Sequence, residues 1–256
     1  MLLHELKECG VTGQVGCGLA TFLDPKPRLQ AVAVDGRVSV LEPVLSGVPQ
    51  GTVLGPILFL VHIRNISENL SVGTSTSSFA DVTRVKRGVI LPDDCSALQA
   101  DLKQIYTWAD QVNMKFNVDK FECLRYWAHA ESDPQFQYLA PDDQPIKVKT
   151  NLRDLGVQLS SNLCFNIHIE NTVTAASKLA GWGLRTFWGR RRAVMLTSLK
   201  SLVQPKLGYC SQLWSQAAQS SINKLEAVQH HLVDSIKDSS LSSLNYWDKL
   251  KQLHLY

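Results

Sequence analysis

Two hydrophobic rhythms divide the chain. Up to about residue 160, short apolar runs and alternations are broken by turn residues; beyond it, apolar positions recur every three or four residues, as on one face of a helix. Gln30-Ala31-Val32-Ala33-Val34, then Asp35-Gly36, then Arg37-Val38-Ser39-Val40 predicts a β-hairpin, because Asp-Gly tolerates the two positive φ angles of a type I′ turn. Ser77 to Val85 reads as strand, turn and strand. Leu98, Leu102, Ile105, Ala109 and Val112 predict an amphipathic helix that ends at Asn113-Met114-Lys115-Phe116-Asn117. Phe121 to Trp127 and Ile146 to Val148 have strand character, and Arg153 to Leu159 predicts a further strand with a turn at its start. From Ile167 onward the pattern is helical, with one helix around Val194 to Val203 and a break at Pro205 and Gly208. Ile222, Leu225, Val228, Leu232 and Ile236 mark the last amphipathic helix. The expected class is α+β over residues 1–160 and all-helical over 161–256, and with no internal repeat the two parts are expected to be different modules.

A chain of 256 residues, 45% hydrophobic and 19% charged, has ample material for a core, so disorder is not expected. Its formal charge of +3 argues neither for nor against a nucleic-acid partner. The distribution of charge changes that picture. Residues 1–128 carry 12 basic and 13 acidic side chains, and residues 129–256 carry 14 and 10. No Asp or Glu occurs between Glu170 and Glu226, an interval that holds Lys178, Arg185, Arg190, Arg191, Arg192, Lys200, Lys206 and Lys224. Trp182, Phe187 and Trp188 lie among these cations, which combines phosphate-binding charge with faces for base stacking. A basic helix also serves as a plain solvated face and tryptophans as core, so both readings stand.

The longest apolar run, roughly Pro56 to Ile63, is far shorter than the ~20 residues that cross a bilayer. The order Leu2-Leu3-His4-Glu5-Leu6-Lys7-Glu8 is not that of a secretory signal, so an intracellular place, cytoplasm or nucleus, is expected without membrane association. Cys9, Cys17, Cys95, Cys123, Cys164 and Cys210 form no C-x-x-C pair and are expected to be free thiols. Cys164 and His168 are four apart, a weak zinc signal without a second pair.

One loop stands out for its chemistry. Ser46-Gly47-Val48-Pro49-Gln50-Gly51-Thr52-Val53-Leu54-Gly55-Pro56 precedes an apolar, helix-length stretch from Ile57 to Ile66, and so permissive a backbone can come very close to a ligand. Its companions, in order, are Phe79-Ala80-Asp81, Met114-Lys115-Phe116-Asn117 with Lys120, and Leu155-Gly156-Val157. Downstream come Gly181-Trp182, Lys200-Ser201-Leu202-Val203-Gln204-Pro205 and Tyr209-Cys210-Ser211-Gln212-Leu213-Trp214. In this order the motifs resemble the reverse transcriptases of non-LTR retrotransposons of the LINE type, jockey-like elements among them.

The resemblance implies part of a right-hand polymerase palm followed by a helical thumb-like region. It assigns Ser46, Gly47, Val48, Pro49, Gln50 and Gly51 to contacts with template and nucleotide sugar. Lys120 matches the lysine that protonates the leaving pyrophosphate, and Leu155, Gly156 and Val157 with Gln158 match the hairpin that grips the primer end. The partner it implies is an RNA template or RNA–DNA duplex, held with the help of Lys178, Arg185, Arg190, Arg191 and Arg192; protein partners are not indicated.

The implied cofactor is Mg²⁺, used as a pair of cations that several carboxylates must hold against their mutual repulsion. The family places one aspartate in an early strand and two adjacent ones after Phe-Ala. The early pattern is absent from this sequence, which is expected to be truncated at both ends, and the later turn reads Asp81-Val82. An isopropyl group cannot ligate a hard cation. Asp24, before Pro25 in a loop, and Asp35, in the hairpin turn, are better read as structural. The expectation is a chain with Asp81 as the lone metal aspartate of an incomplete site, no productive Mg²⁺ binding and no polymerase activity of its own. A non-catalytic binding module and a relic without function are the alternatives. Gly208, in place of the usual aspartate of Leu-Asp-Tyr-Cys-Ser, and His230-His231, in place of an Arg-containing pair, agree with drift.

Overall fold

Strands and helices are both present, as α+β requires, but every described strand pairs with only one partner. The computed structural model describes residues 2–23, 29–44, 47, 51–126, 136–215 and 218–255. Among them the strands form five two-stranded ladders and no larger sheet. Contacts divide the chain into two compact units, Met1–Phe121 with Pro134–Ile146, and Glu122–Asp133 with Lys147–Tyr256.

In the first unit, helices α1 (Leu2–Glu8) and α2 (Gly13–Leu23) precede β1 (Leu29–Gln30), β2 (Ala33–Val34), β3 (Arg37–Val38) and β4 (Glu42–Pro43). The β2–β3 hairpin turns at Asp35 and Gly36 with φ of 50° and 77°, the pair of positive angles that the sequence calls for. β1 and β4 pair outside it. Helix α3 (Leu54–Ile63) begins slightly earlier than the apolar stretch suggested, because the Thr52 hydroxyl accepts the Gly55 N–H at 3.1 Å and satisfies an orphan donor of its first turn. It ends in a 3₁₀ turn over Arg64–Ser67. Strands β5 (Thr74–Phe79) and β6 (Val82–Arg87) form the longest ladder, closed by Ala80 and Asp81.

Helix α4 (Pro92–Gln111) anchors this unit. Asp94 caps it by accepting the N–H groups of Ile90 and Leu91 at 3.0 and 2.9 Å. These bonds, foremost that from Leu91, and then the Arg87 guanidinium, hold its carboxyl below the usual carboxylate range. Tyr106 meets Phe116 and Phe121 edge to face, with centroids 5.8 to 6.1 Å apart, a geometry favoured by the ring quadrupoles. Burial, with Asp142 nearby, pushes the Tyr106 hydroxyl up to about 12. One residue of the polar stripe is not on the surface: Asp101 is 1% exposed. It accepts from the Ser71 N–H and hydroxyl at 2.9 and 2.6 Å and from the Thr74 hydroxyl at 2.5 Å, with Arg87 3.9 Å away.

In the second unit, β7 (Glu122–Leu124) and β8 (Lys147–Lys149) pair in parallel, and β9 (Asn151–Asp154) and β10 (Val157–Ser160) form a hairpin. The remainder is helical: α5 (Asn166–Thr186), α6 (Arg192–Ser198), α7 (Gln204–Gly208), α8 (Ser211–Trp214), α9 (Gln219–Asp234) and α10 (Tyr246–Gln252). A core cluster is built around Ala176, Ala180, Leu199, Val203, Leu232 and Leu253. The expected break falls at Gly208, where α7 ends, and not at Pro205. A wide turn over Leu199–Val203, closed by i→i+5 hydrogen bonds, joins α6 to α7, and Pro205 sits in the first turn of α7, where its missing N–H costs no hydrogen bond.

Candidate nucleic-acid interface

The β9–β10 hairpin turns at Leu155 and Gly156, with φ of 44° and 89°. Two contacts pin this tip to the helices of its own unit. The Tyr209 hydroxyl donates to the Leu155 carbonyl at 2.7 Å, and a β-carbon added at Gly156 would lie 3.2 Å from the Tyr209 ring. Glycine is therefore required twice here, for its backbone angle and for the space the ring fills. Tyr209 is held in turn by the Trp214 indole, which donates to its carbonyl at 3.1 Å. His168, in the first turn of α5, closes the set: its Nδ1 accepts the Gln158 N–H at 3.3 Å, and its ring lies 6.0 Å from that of Trp214.

Beside the tip is a cavity of about 250 Å³ lined by Arg153, Gly156, Gln158, His168, Asn171, Thr172, Ala175, Lys206 and Tyr209. Among these described lining residues none is acidic. Burial, and then the positive charges of Lys206 and Arg153, hold the His168 imidazole below its ordinary value. Nδ1 is thereby kept free to accept, and the proton of the neutral ring sits on Nε2, which is buried with no partner among the described residues.

The outer face of α5 continues from this cavity. Asn171, Ala175, Lys178, Trp182 and Arg185 are spaced by four, three, four and three residues, which places them on one stripe of a 3.6-residue helix. Lys178 and Arg185 are exposed and Trp182 is 48% exposed, while His168, Thr172, Ala176, Ala180 and Gly183 form the buried stripe opposite. Trp182 also meets Phe187 edge to face at 6.2 Å, and Trp188 is almost fully exposed.

The remaining cations of the basic interval are placed differently. Lys224 meets Glu170 at 3.2 Å. Arg192 donates to the Gln252 carbonyl at 2.6 Å and lies 3.7 Å from Asp238, so it clamps the C-terminal helix. The run Arg190-Arg191-Arg192 is accordingly divided: Arg191 is exposed, whereas Arg190 adopts φ of 44° and its carbonyl accepts the Lys237 N–H at 3.0 Å. Two of the eight charges thus find counter-charges outside the interval that contains them.

In the other unit, Gly47 and Gly51 have φ of 83° and 80°, a region that side-chain-bearing residues rarely adopt; Ser46, Val48, Pro49 and Gln50 lie outside the described residues, as does Asp24. Asp81 is exposed at the tip of the β5–β6 hairpin, next to Val82. Lys120 is exposed at the end of a 3₁₀ turn, Val118–Lys120, which the Asn117 side chain caps by accepting from Asp119 N–H at 3.2 Å and which the Phe116 and Phe121 rings bracket. No three His, Cys, Asp or Glu side chains converge on a metal position among the described residues. With a single carboxylate at the turn and an isopropyl group beside it, the donor set does not fit a pair of divalent cations. The six cysteines are free, and no helix among the described residues is long and apolar enough to cross a membrane.

The sequence motifs pointed to the hairpin and to the cations of α5 but not to Arg153, Asn171 and His168 as neighbours of Lys206 and Tyr209. No local pattern announces that grouping, since its members come from β9, α5 and the chain around α7.

The unit therefore combines a pinned hairpin, a basic cavity and a cationic, aromatic stripe. The chain is 29% identical over 209 residues to the RNA-directed DNA polymerase from mobile element jockey of Drosophila melanogaster, an alignment covering 77% of this chain and 22% of that protein. It is 26% identical over 210 residues to the probable RNA-directed DNA polymerase from transposon X-element of the same fly, covering 79% and 23%. With the corresponding protein from transposon BS the figures are 23% over 227 residues, covering 81% and 24%. These curated homologues are RNA-directed DNA polymerases of non-LTR retrotransposons, in agreement with the motif reading. The chain spans about a quarter of their length or less. No protein-family profile matches it.

Proposed function

We propose that this chain is a palm-and-thumb segment of the reverse-transcriptase type that holds an RNA template or RNA–DNA duplex and does not by itself polymerise. The observation that carries the reading is the continuity of one face: the Tyr209-pinned hairpin tip, the basic cavity beside it, and the stripe of Lys178, Trp182 and Arg185. Cations along such a face neutralise successive phosphates, and an exposed indole offers a stacking plane. Lys120 is then a residue without a reaction to serve, and Mg²⁺ has too few ligands at Asp81 and Val82 to be held as a catalytic pair.

The test of holding is the salt dependence of duplex binding, read by fluorescence anisotropy. Replacing Lys178 and Arg185 by Gln is expected to lower the slope of log affinity against log salt by about two, because each phosphate contact contributes about 0.9. An unchanged slope, or no binding at ~50 mM salt, overturns it. The test of inactivity is primer extension with Mg²⁺ or Mn²⁺: no template-dependent product is expected, and a product that disappears with Asp81→Ala would refute it.

A further inference from the structure

We infer that His168 is an acid-released latch: its neutral ring holds the β9–β10 hairpin against α5, and protonation lets the hairpin go. The inference goes beyond the duplex-holding reading and does not rest on it. His168 is 6% exposed, in the first turn of α5, and it joins the hairpin through one bond, its Nδ1 accepting the Gln158 N–H. That bond exists only while Nδ1 carries no proton. A second proton on the ring turns Nδ1 from acceptor into donor, so that it meets the Gln158 N–H hydrogen to hydrogen and leaves both without an acceptor. Nε2 offers no relief, since it too is buried without a partner among the described residues.

The charges that bear on the ring oppose the imidazolium. Arg153 comes from β9 and Lys206 from α7, and both are positive. Among the described residues lining the cavity none is acidic; Tyr209, beyond α7, directs its hydroxyl to the Leu155 carbonyl, and Trp214 of α8 adds an uncharged ring. On α5 itself, Glu170 is engaged with Lys224 of α9. Burial and then the two cations hold the docked imidazole below its ordinary value of 6.5, which the ring regains once the hairpin has left. The docked form therefore takes up the proton less readily than the released form. The latch is at full strength above about 6.5 and weakens as pH falls through the docked value. Of the two parts it joins, α5 is anchored in the core by Ala176 and Ala180, whereas the hairpin is a two-stranded ladder, so the hairpin is the part that moves. The remaining pin, the Tyr209 hydroxyl bond, lies at the surface, where water can replace it.

The test follows the full chain by NMR from about pH 7.5 to about pH 5, above the range in which ordinary carboxylates take up protons. The Gly156 and Gln158 amide signals are expected to change with the same midpoint as the His168 ring, and their heteronuclear NOE to fall, as it does when a segment becomes mobile. His168→Asn, whose amide oxygen can take the place of Nδ1 but does not titrate, is expected to keep the hairpin ordered at the acid end. Should that variant fail to fold, Arg153→Gln/Lys206→Gln decides, since both side chains are exposed. Removing the opposing cations is expected to move the His168 midpoint and the hairpin transition upward together. Hairpin signals that stay unchanged while His168 titrates overturn the latch. The same acid transition in His168→Asn, or a hairpin midpoint in the double variant equal to that of the wild type, overturns it as well.

Discussion

The two compact units use their apolar residues in opposite ways. In the helical unit, Leu199, Val203, Leu232 and Leu253 are sealed in one cluster that draws on α5, α9 and the turn between α6 and α7. In the other, α2 buries none of its eleven residues, β1 to β4 are exposed throughout, and α3 leaves Leu54, Ile57 and Leu60 in contact with solvent. The residue that would take part in metal chemistry, Asp81, belongs to the unit with these exposed elements, while the cationic stripe and the cavity stand on the other. A surface for holding needs only that its charges keep their places, and one dense core provides that. A two-metal site needs several carboxylates within a few ångströms, a demand that an exposed hairpin tip cannot meet alone.

Three measurements put this contrast at risk. The largest effect is expected from Leu232→Ala, which should cost about 2–5 kcal/mol in denaturant unfolding because the surrounding core cannot collapse into the space. Leu60→Ala, on the exposed side of α3, should change stability by less than about 0.5 kcal/mol. Equal effects would mean that the two units are not packed so differently.

Next is Asp101→Asn, expected to cost about 2–3 kcal/mol and to affect the first unit alone, since it weakens acceptors for Ser71 and Thr74 and removes one of the two carboxylates beside Arg87. Burial alone would raise this carboxyl, but the bonds from Ser71 and Thr74, with Arg87, outweigh burial and hold it below the usual carboxylate range. Its folded value thus lies below its unfolded one. The stabilisation is present above the unfolded value, about 3.9, and is lost as pH falls from there through the folded value. Circular dichroism followed from pH 6 to pH 2, in wild type and Asp101→Asn, reads that loss. A transition of the same shape in both proteins would remove Asp101 from the account.

The smallest effect belongs to Arg192→Gln. A half-exposed ion pair and one bond to a carbonyl are worth roughly 0.5–1.5 kcal/mol, so a modest drop in melting temperature is expected with no change in the salt slope of duplex binding. A lowered slope would return Arg192 to the nucleic-acid face.

Much of this was legible from the chain in order, and the exceptions share a cause. Asp35-Gly36 announced its turn because two positive φ angles are a local requirement, and the spacing from Leu98 to Val112 announced α4 because one helix face is enough to set it. Leu155-Gly156-Val157 was marked by resemblance, and the structure supplies its physical reason in Tyr209. The spacing that sets α4 says nothing of Asp101, whose burial depends on Ser71, Thr74 and Arg87, which no pattern within the helix contains. Pro205 read as a break because a proline interrupts an ordinary helix, whereas a wide turn just before it absorbs the missing donor. The cavity was least visible, since Arg153, His168 and Lys206 meet only after the hairpin, α5 and α7 have folded.

That wide turn also makes the helix a matter of phase. An i→i+5 turn holds about one residue more than a turn of the regular helix within a single revolution, so each of its residues turns the chain by less than the usual ~100°. Lys206 and Tyr209 reach the cavity and the hairpin tip in a helical register that includes this extra step. Deleting one residue between Leu199 and Val203 would restore regular helical geometry with every side chain of the site retained in the sequence. Lys206 and Tyr209 would keep their phase, because the wide turn takes up its extra residue within one revolution, so they would still face Arg153 and Leu155 and the deletion would alter only the packing of the turn itself.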